Sequence, residues 1–147
     1  MADIQWDFPN PHILKQLVGP EHLDQMQHTN NVVYLKWLED VAWDHSKHLG
    51  LDWDAYARIG HSMVARRHEL NYILSTFLGE ELLLGTWIIY NDRLSTRRAY
   101  QFVRAADGQT VFRGRTQWVC VDIKEGKVRR MPPEFLAAYQ SPLQIEE

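Results

Sequence analysis

Between Asn31 and Leu49 the chain carries one long stretch of helical periodicity, and after Gly60 its punctuation changes to hairpin spacing. Few folds accommodate both. Projected at about 100° per residue, Tyr34, Leu35, Trp37, Leu38, Val41, Ala42, His45 and Leu49 share one broad arc, with Lys36, Asp40, Asp44 and Lys47 opposite. Lys36/Asp40 and Asp44/Lys47 stand at pairing distance on a helix surface. Thr29, Asn30 and Asn31 suit the amino-terminal cap, and Gly50 suits the stop. The arc is wider than a surface helix needs, and Val32 and Trp43 extend it, which predicts a helix covered on more than one side.

The remaining elements are short. Residues 1–12, with Pro9 and Pro11, read as an irregular lead-in, Ile13–Val18 as a first strand, and Pro20–Asn31 as a loop. A second helix is expected from Leu51 or Asp52 to Ile59. Runs at about 62–74, 81–91, 96–106 and 109–123 are separated by Gly79-Glu80, Asn91-Asp92 and Asp107-Gly108, and Glu125-Gly126 closes the last. In that last run Phe112, Gly114, Thr116, Trp118 and Cys120 alternate with Val111, Arg113, Arg115, Gln117 and Val119. Pro132-Pro133 opens a short helix through about Tyr139. The order predicts an α+β fold, an antiparallel sheet wrapped around one long central helix, as a single domain over residues 1–147.

Composition narrows the function classes. The net charge of 16 − 19 = −3 gives no electrostatic case for nucleic acid. One cysteine excludes an internal disulfide and any multi-cysteine metal cradle. Met1-Ala2-Asp3-Ile4-Gln5 has no signal pattern and no apolar run approaches a membrane span, so a cytoplasmic location without membrane contact is expected. The charge is uneven. Residues 1–60 hold nine acids and four bases; residues 61–147 hold ten acids and twelve bases, with ten of the eleven arginines. Arg66-Arg67 and Arg97-Arg98 could grip a phosphorylated ligand, or could simply cover a solvated sheet surface.

The segment from Leu23 to Asp40 holds the chemistry. It places a carboxylate (Asp24), a histidine (His28) and two amides (Asn30, Asn31) in the loop feeding the long helix, whose first N–H groups and positive dipole end can hold a developing oxyanion. Asp24 could act on a carbonyl there or serve as a turn residue; His28 could orient it or pack; Asn30 and Asn31 could act or cap. Glu39, on the helix, is a reserve acid. His22, Asp24 and His28 match no metal-ligand spacing, and Cys120 reads as core.

This segment resembles the signature of the 4-hydroxybenzoyl-CoA thioesterase-type branch of the hotdog-fold acyl-CoA thioesterases, Asp-x-Met-Gly-His-x-Asn-Asn-x-x-Tyr-Leu-x-Trp. The match falls on Asp24, Met26, His28, Asn30, Asn31, Tyr34, Leu35 and Trp37, with Gln27 standing where the family has glycine. The ending from Trp118 through Gly126-Lys127 to Pro132 is similar to the family's last strand and exit. The resemblance implies a hotdog fold and hydrolysis of an acyl-CoA thioester. Asp24 would be the catalytic carboxylate, assisted by His28, Asn30 and Asn31, with the amides opening the helix on the carbonyl. Gln27 and Tyr34 would contact substrate, and Arg66, Arg67, Arg97 and Arg98 the CoA phosphates. It further implies a homodimer or dimer of dimers with paired sheets, and no metal or organic cofactor. The alternatives are an acyl-carrier-protein thioesterase and a non-catalytic module binding acyl-CoA or an acyl carrier.

Overall fold

The computed structural model describes residues 3–146. Five strands, β1 (His12–Leu17), β2 (His61–Tyr72), β3 (Glu81–Asn91), β4 (Ser95–Arg104) and β5 (Thr110–Asp122), form one antiparallel sheet in the order β1-β3-β4-β5-β2. Three helices accompany it: α1 (Asn31–His48), α2 (Trp53–Ile59) and α3 (Pro133–Ala138). β1 pairs with β3 from His12↔Thr86 to Leu17↔Glu81. The turn residues act as their chemistry dictates. Asp92 Oδ1 accepts from the N–H groups of Leu94 and Ser95, each at 2.8 Å, and Asp107 Oδ1 from Gln109 at 3.0 Å. Gly50 and Gly60 take positive φ where α1 and α2 stop.

Two compact units are resolved. The first holds the chain up to Ala42 with Leu70–Trp87 and Tyr100–Gly114; the second holds Trp43–Glu69, Ile88–Ala99 and the chain from Arg115 onward.

In the first unit, Tyr34, Trp37, Leu38, Val41 and Ala42 form the buried stripe of α1, at the i, i+3, i+4, i+7, i+8 spacing of a helix face. Tyr34 stacks on Phe112 (5.3 Å between centroids) and Phe102 (6.5 Å), which stack on each other at 4.6 Å. Each ring hidden this way contributes roughly 2–3 kcal/mol. The expected extension of the arc is corrected: Val32 is 73% exposed and Trp43 40%. At about 100° per residue both project to the face opposite this stripe, where Trp43 sets its ring 5.3 Å from that of Tyr56.

The lead-in is irregular but docked. Trp6 and Phe8 set their ring edges against Trp87 at 6.0 and 5.4 Å, and Trp87 Nε1 donates to the Pro9 carbonyl. Asp7 takes a bidentate pair from Arg113 at 2.8 and 3.0 Å. Gln101 accepts from the Asp7 N–H and donates to the Gln5 carbonyl.

In the second unit, Leu51, Ala55, Tyr56, Met63, Ile88, Cys120, Met131, Phe135 and Tyr139 make one core. Asp52 caps α2 by accepting from Ala55 N–H at 2.8 Å. No helix among the described residues is long and apolar enough to cross a membrane.

Candidate active site

Residues 23–29 form a small hairpin rather than open loop. Leu23 bridges Thr29; Asp24 N–H donates to the His28 carbonyl (2.8 Å), and Gln27 N–H to the Asp24 carbonyl (3.0 Å). The Asp24 side chain closes the turn, its Oδ1 accepting from Met26 N–H at 2.9 Å and His28 N–H at 3.3 Å. The turn and the chemistry therefore compete for a single oxygen only. Gln27 sits at φ +63°, the left-handed region. That is the conformation glycine adopts without penalty, and it accounts for the glycine of the family pattern. Glutamine adopts it here.

The start of α1 is organised by Asn30. Its Oδ1 accepts from Val32 N–H at 3.1 Å, its carbonyl accepts from Val33 N–H at 2.9 Å, and its own N–H donates to His22. Asn30 is thus the helix cap. Among the described residues no acceptor takes the Asn31 N–H, and the first turn of α1 carries no acidic side chain. The positive end of the helix dipole is left available at that amide.

A third segment builds the opposite wall. Thr29 N–H donates to the Thr76 carbonyl at 2.9 Å, and its hydroxyl to the same oxygen at 3.3 Å. Thr76 Oγ1 donates to Thr29 Oγ1 at 2.6 Å. With the Thr76 proton so committed, Tyr34 is the donor in its 2.8 Å bond to Thr76 Oγ1. Burial pushes the Tyr34 phenol above its ordinary pKa, so it stays a donor. Tyr72 OH donates to the Asn31 carbonyl at 3.1 Å.

The result is a cavity of about 140 Å³ lined by Asp24, His28, Thr29, Asn31, Tyr34, Tyr72, Ile73, Leu74 and Ser75. It brings together four residues expected from the sequence: Asp24, His28, Asn31 and Tyr34. Asn30, Gln27 and the exposed Glu39 do not line it. Sequence reasoning missed Tyr72, Ser75 and Thr76. Their only local signal is a polar Ser-Thr pair inside the apolar run from Ile73 to Leu78; the bonds that recruit Thr76 span 47 residues.

The arginines require correction. Successive residues of a strand point to opposite faces, so neither expected pair acts as a pair. Arg98 is only 3% exposed; it donates to His45 Nδ1 at 2.8 Å and to Ser46 Oγ at 3.3 Å. Because arginine cannot accept, His45 Nδ1 must be the acceptor. Ser46 in turn accepts from Tyr139 OH at 2.9 Å, and Tyr139 bonds Tyr56. Arg98 is therefore tied into the interior by His45 and Ser46. Arg67 and Arg97 share a separate cavity of about 110 Å³ with Arg115, and Arg66 does not line it. Among the described residues, no three of His, Cys, Asp and Glu come together as metal ligands would.

Residues 18–139 match the family model of the thioesterase-like superfamily. The chain belongs to that superfamily. The thioesterase-like chain is by that membership a thioester hydrolase. Solved structures share its hotdog fold. Slr0204, a 1,4-dihydroxy-2-naphthoyl-CoA thioesterase from Synechocystis, is 15% identical with a TM-score of 0.80, over 88% of this chain and 96% of that one. DHNA-CoA thioesterase from Staphylococcus aureus is 22% identical at 0.81, over 88% of each chain. SAV2348 from the same organism, solved in complex with CoA, is 14% identical at 0.83, over 94% of this chain and 84% of that one. No curated protein matches the thioesterase-like chain.

Proposed function

We propose that this protein is an acyl-CoA thioesterase in which Asp24 is the catalytic carboxylate and the Asn31 N–H polarises the thioester carbonyl. The observation that carries the reading is the single cavity bounded by both groups. The turn occupies Asp24 Oδ1, which leaves Oδ2 to take a proton from water as the water oxygen attacks the carbonyl carbon. The carbonyl oxygen becomes an oxyanion facing the helix start, where one well-aimed donor is worth about 3–4 kcal/mol. Collapse breaks the C–S bond, and the thiolate leaves with the proton returned from Asp24, giving free acid and CoA. A thiol of pKa about 8.5 needs no strong acid to depart. The fold relative bound to CoA supports the choice of carrier.

The catalytic form is proposed to be a homodimer, or a dimer of dimers, in the cytoplasm, where a lone buried thiol such as Cys120 stays reduced. β2 is one of the two edge strands and exposes Val64 through Arg67. Its last residue, Tyr72, and the segment after it, with Ile73, Leu74, Phe77 and Leu78, are exposed as well. Edge and apolar surface of this kind call for a partner, and a second copy paired along β2 supplies one. Light scattering checks the assembly.

Asp24→Asn is the decisive variant. The amide oxygen can still accept from Met26 and His28, so the fold should persist with an unchanged melting temperature. Thiol release from short, long and aromatic acyl-CoAs should fall by about 10²- to 10⁴-fold. Parent-rate turnover by a folded Asp24→Asn would remove the assignment. Acyl-CoA binding without thiol release by the parent would instead indicate a non-catalytic module, and turnover restricted to a protein-bound acyl group a carrier-protein thioesterase. Single turnover in ¹⁸O-water that labels Asp24 would show an acyl anhydride opened at its aspartyl carbon, whereas direct attack by water puts the label in the product acid alone.

A further inference from the structure

We infer that Arg104 and Glu80 are a positioning pair for thioester hydrolysis, holding the wall that sets Asp24 against the Asn31 amide; its effect on turnover rests on the acyl-CoA reading above. The segment they hold leaves the sheet just after β2. Ile73 and Leu74 N–H both donate to the Val111 carbonyl, at 2.9 and 3.1 Å, and the chain is tied again at Gly79, whose N–H donates to the Val18 carbonyl at 2.9 Å. Among the described residues, the main chain of 75–78 bonds to one distant main-chain segment, through Thr29 N–H to the Thr76 carbonyl. Its other polar groups need partners too, and two charged side chains supply them. Arg104 Nη2 donates to the Ser75 carbonyl at 3.0 Å, and Glu80 Oε1 accepts from Phe77 N–H at 2.7 Å. The two side chains pair with each other, Nε to Oε2 at 2.8 Å. They are only 16% and 24% exposed, so salt screens the pair weakly.

The fork of arginine makes this possible. Its Nη1 also donates to Asp107 at 2.9 Å, so one planar group at the end of β4 meets a carbonyl and two carboxylates at fixed angles. Ser75 lines the cavity itself. Gripping Ser75 and Phe77 fixes the buried Thr76 between them, and Thr76 in turn holds Thr29 and Tyr34. Thr29 is where displacement matters most. It bridges Leu23 at the open end of the Asp24 hairpin and immediately precedes Asn30, the cap of α1. A shift of Thr29 therefore changes the spacing between the carboxylate and the first helix amide. A misplacement of about 1 Å, imposed far from the reacting atoms, costs up to about 100-fold in rate.

The test uses Arg104→Gln, which removes the charge and the fork, and the milder Glu80→Gln, whose amide oxygen still accepts from Phe77. Both are measured in the full chain where circular dichroism shows them folded. For acyl-CoA, kcat should fall by about 10- to 100-fold with KM unchanged, and Arg104→Lys should recover part of the loss. Most of the loss should vanish when Arg104→Gln is built into Asp24→Asn, because the pair acts through that carboxylate. Amide exchange at Thr29 should quicken by about tenfold in both Gln variants, while amides of the second unit keep their parental rates. Folded variants with parental kcat, or a loss carried by KM alone, overturn the proposal. So does an undiminished loss in the Asp24→Asn background, the mark of a general weakening. A parent that releases no thiol, or an Asp24→Asn enzyme at the parent rate, sinks the hydrolase reading instead. Exchange at Thr29 decides the wall in either case, and parental exchange there overturns the pair.

Discussion

Gln27 shows how a single backbone angle can be read once and interpreted twice. A glycine expected by family pattern suggests either a need for close approach or a need for left-handed backbone. At φ +63° the need is backbone, and glutamine meets it under strain. Gln27→Gly should relieve that strain, offset in part by the extra freedom of glycine in the unfolded chain. The expected gain is about 0.5–1 kcal/mol, seen as a raised urea midpoint. Turnover should be kept, because the N–H that closes on the Asp24 carbonyl is present in either residue. At the same scale, Asp24 and Asn31 were legible as candidates from their place before a helix. Thr76 was not. Its role depends on a hydroxyl chain to Thr29 and Tyr34, and nothing in the sequence announces that a residue 47 positions after Thr29 will support these two wall residues.

Elements were legible where local chemistry decides them. The hairpin turns fall at the Asn91-Asp92 and Asp107-Gly108 punctuation, and α1 ends at Gly50, because Asx side chains and positive-φ glycines act within a few residues. The lead-in was legible only as irregular, since what orders it is distant. Gly85 on β3 leaves room for the Trp6 ring; a Cβ there would stand 2.6 Å from Trp6 Cζ3 and 3.2 Å from the Gln101 carbonyl. Gly85→Ala should therefore undock residues 5–9 at a cost of about 1–3 kcal/mol. Red-shifted tryptophan emission and faster proteolysis at the amino terminus would register it. Combining the change with Trp6→Ala should recover part of the loss, as the clash disappears with the ring.

For the molecule as a whole, we propose a single cooperative domain. α1 and the strands β2 to β5 each run as continuous elements from one compact unit into the other. Unfolding one unit would break all five. Near- and far-ultraviolet dichroism should report coincident thermal transitions, and calorimetric and van't Hoff enthalpies should agree. Stability should also fall in alkali. Burial pushes the Cys120 thiol up to about 11 and raises the Tyr56 and Tyr34 phenols. Groups raised in the folded state contribute fully below their ordinary values and lose that contribution as pH climbs toward the folded ones. The urea midpoint should be level through neutrality and decline above about pH 9, the thiol alone accounting for roughly 3 kcal/mol by pH 11. Cys120→Ala should defer the onset of decline to the phenol range, above about pH 10.

By itself the sequence determined the elements, the α+β class and the hairpin order, together with the loop and helix start that hold Asp24 and Asn31. Periodicity, caps and turns act over one or two turns of chain, and a local code can carry them. Only the tertiary structure decided which arginines share a cavity, which one is buried, and which distant threonine braces Thr29 and Tyr34 from behind. Those outcomes depend on strand adjacency and the sign of each pleat, which are set by pairings tens of residues apart.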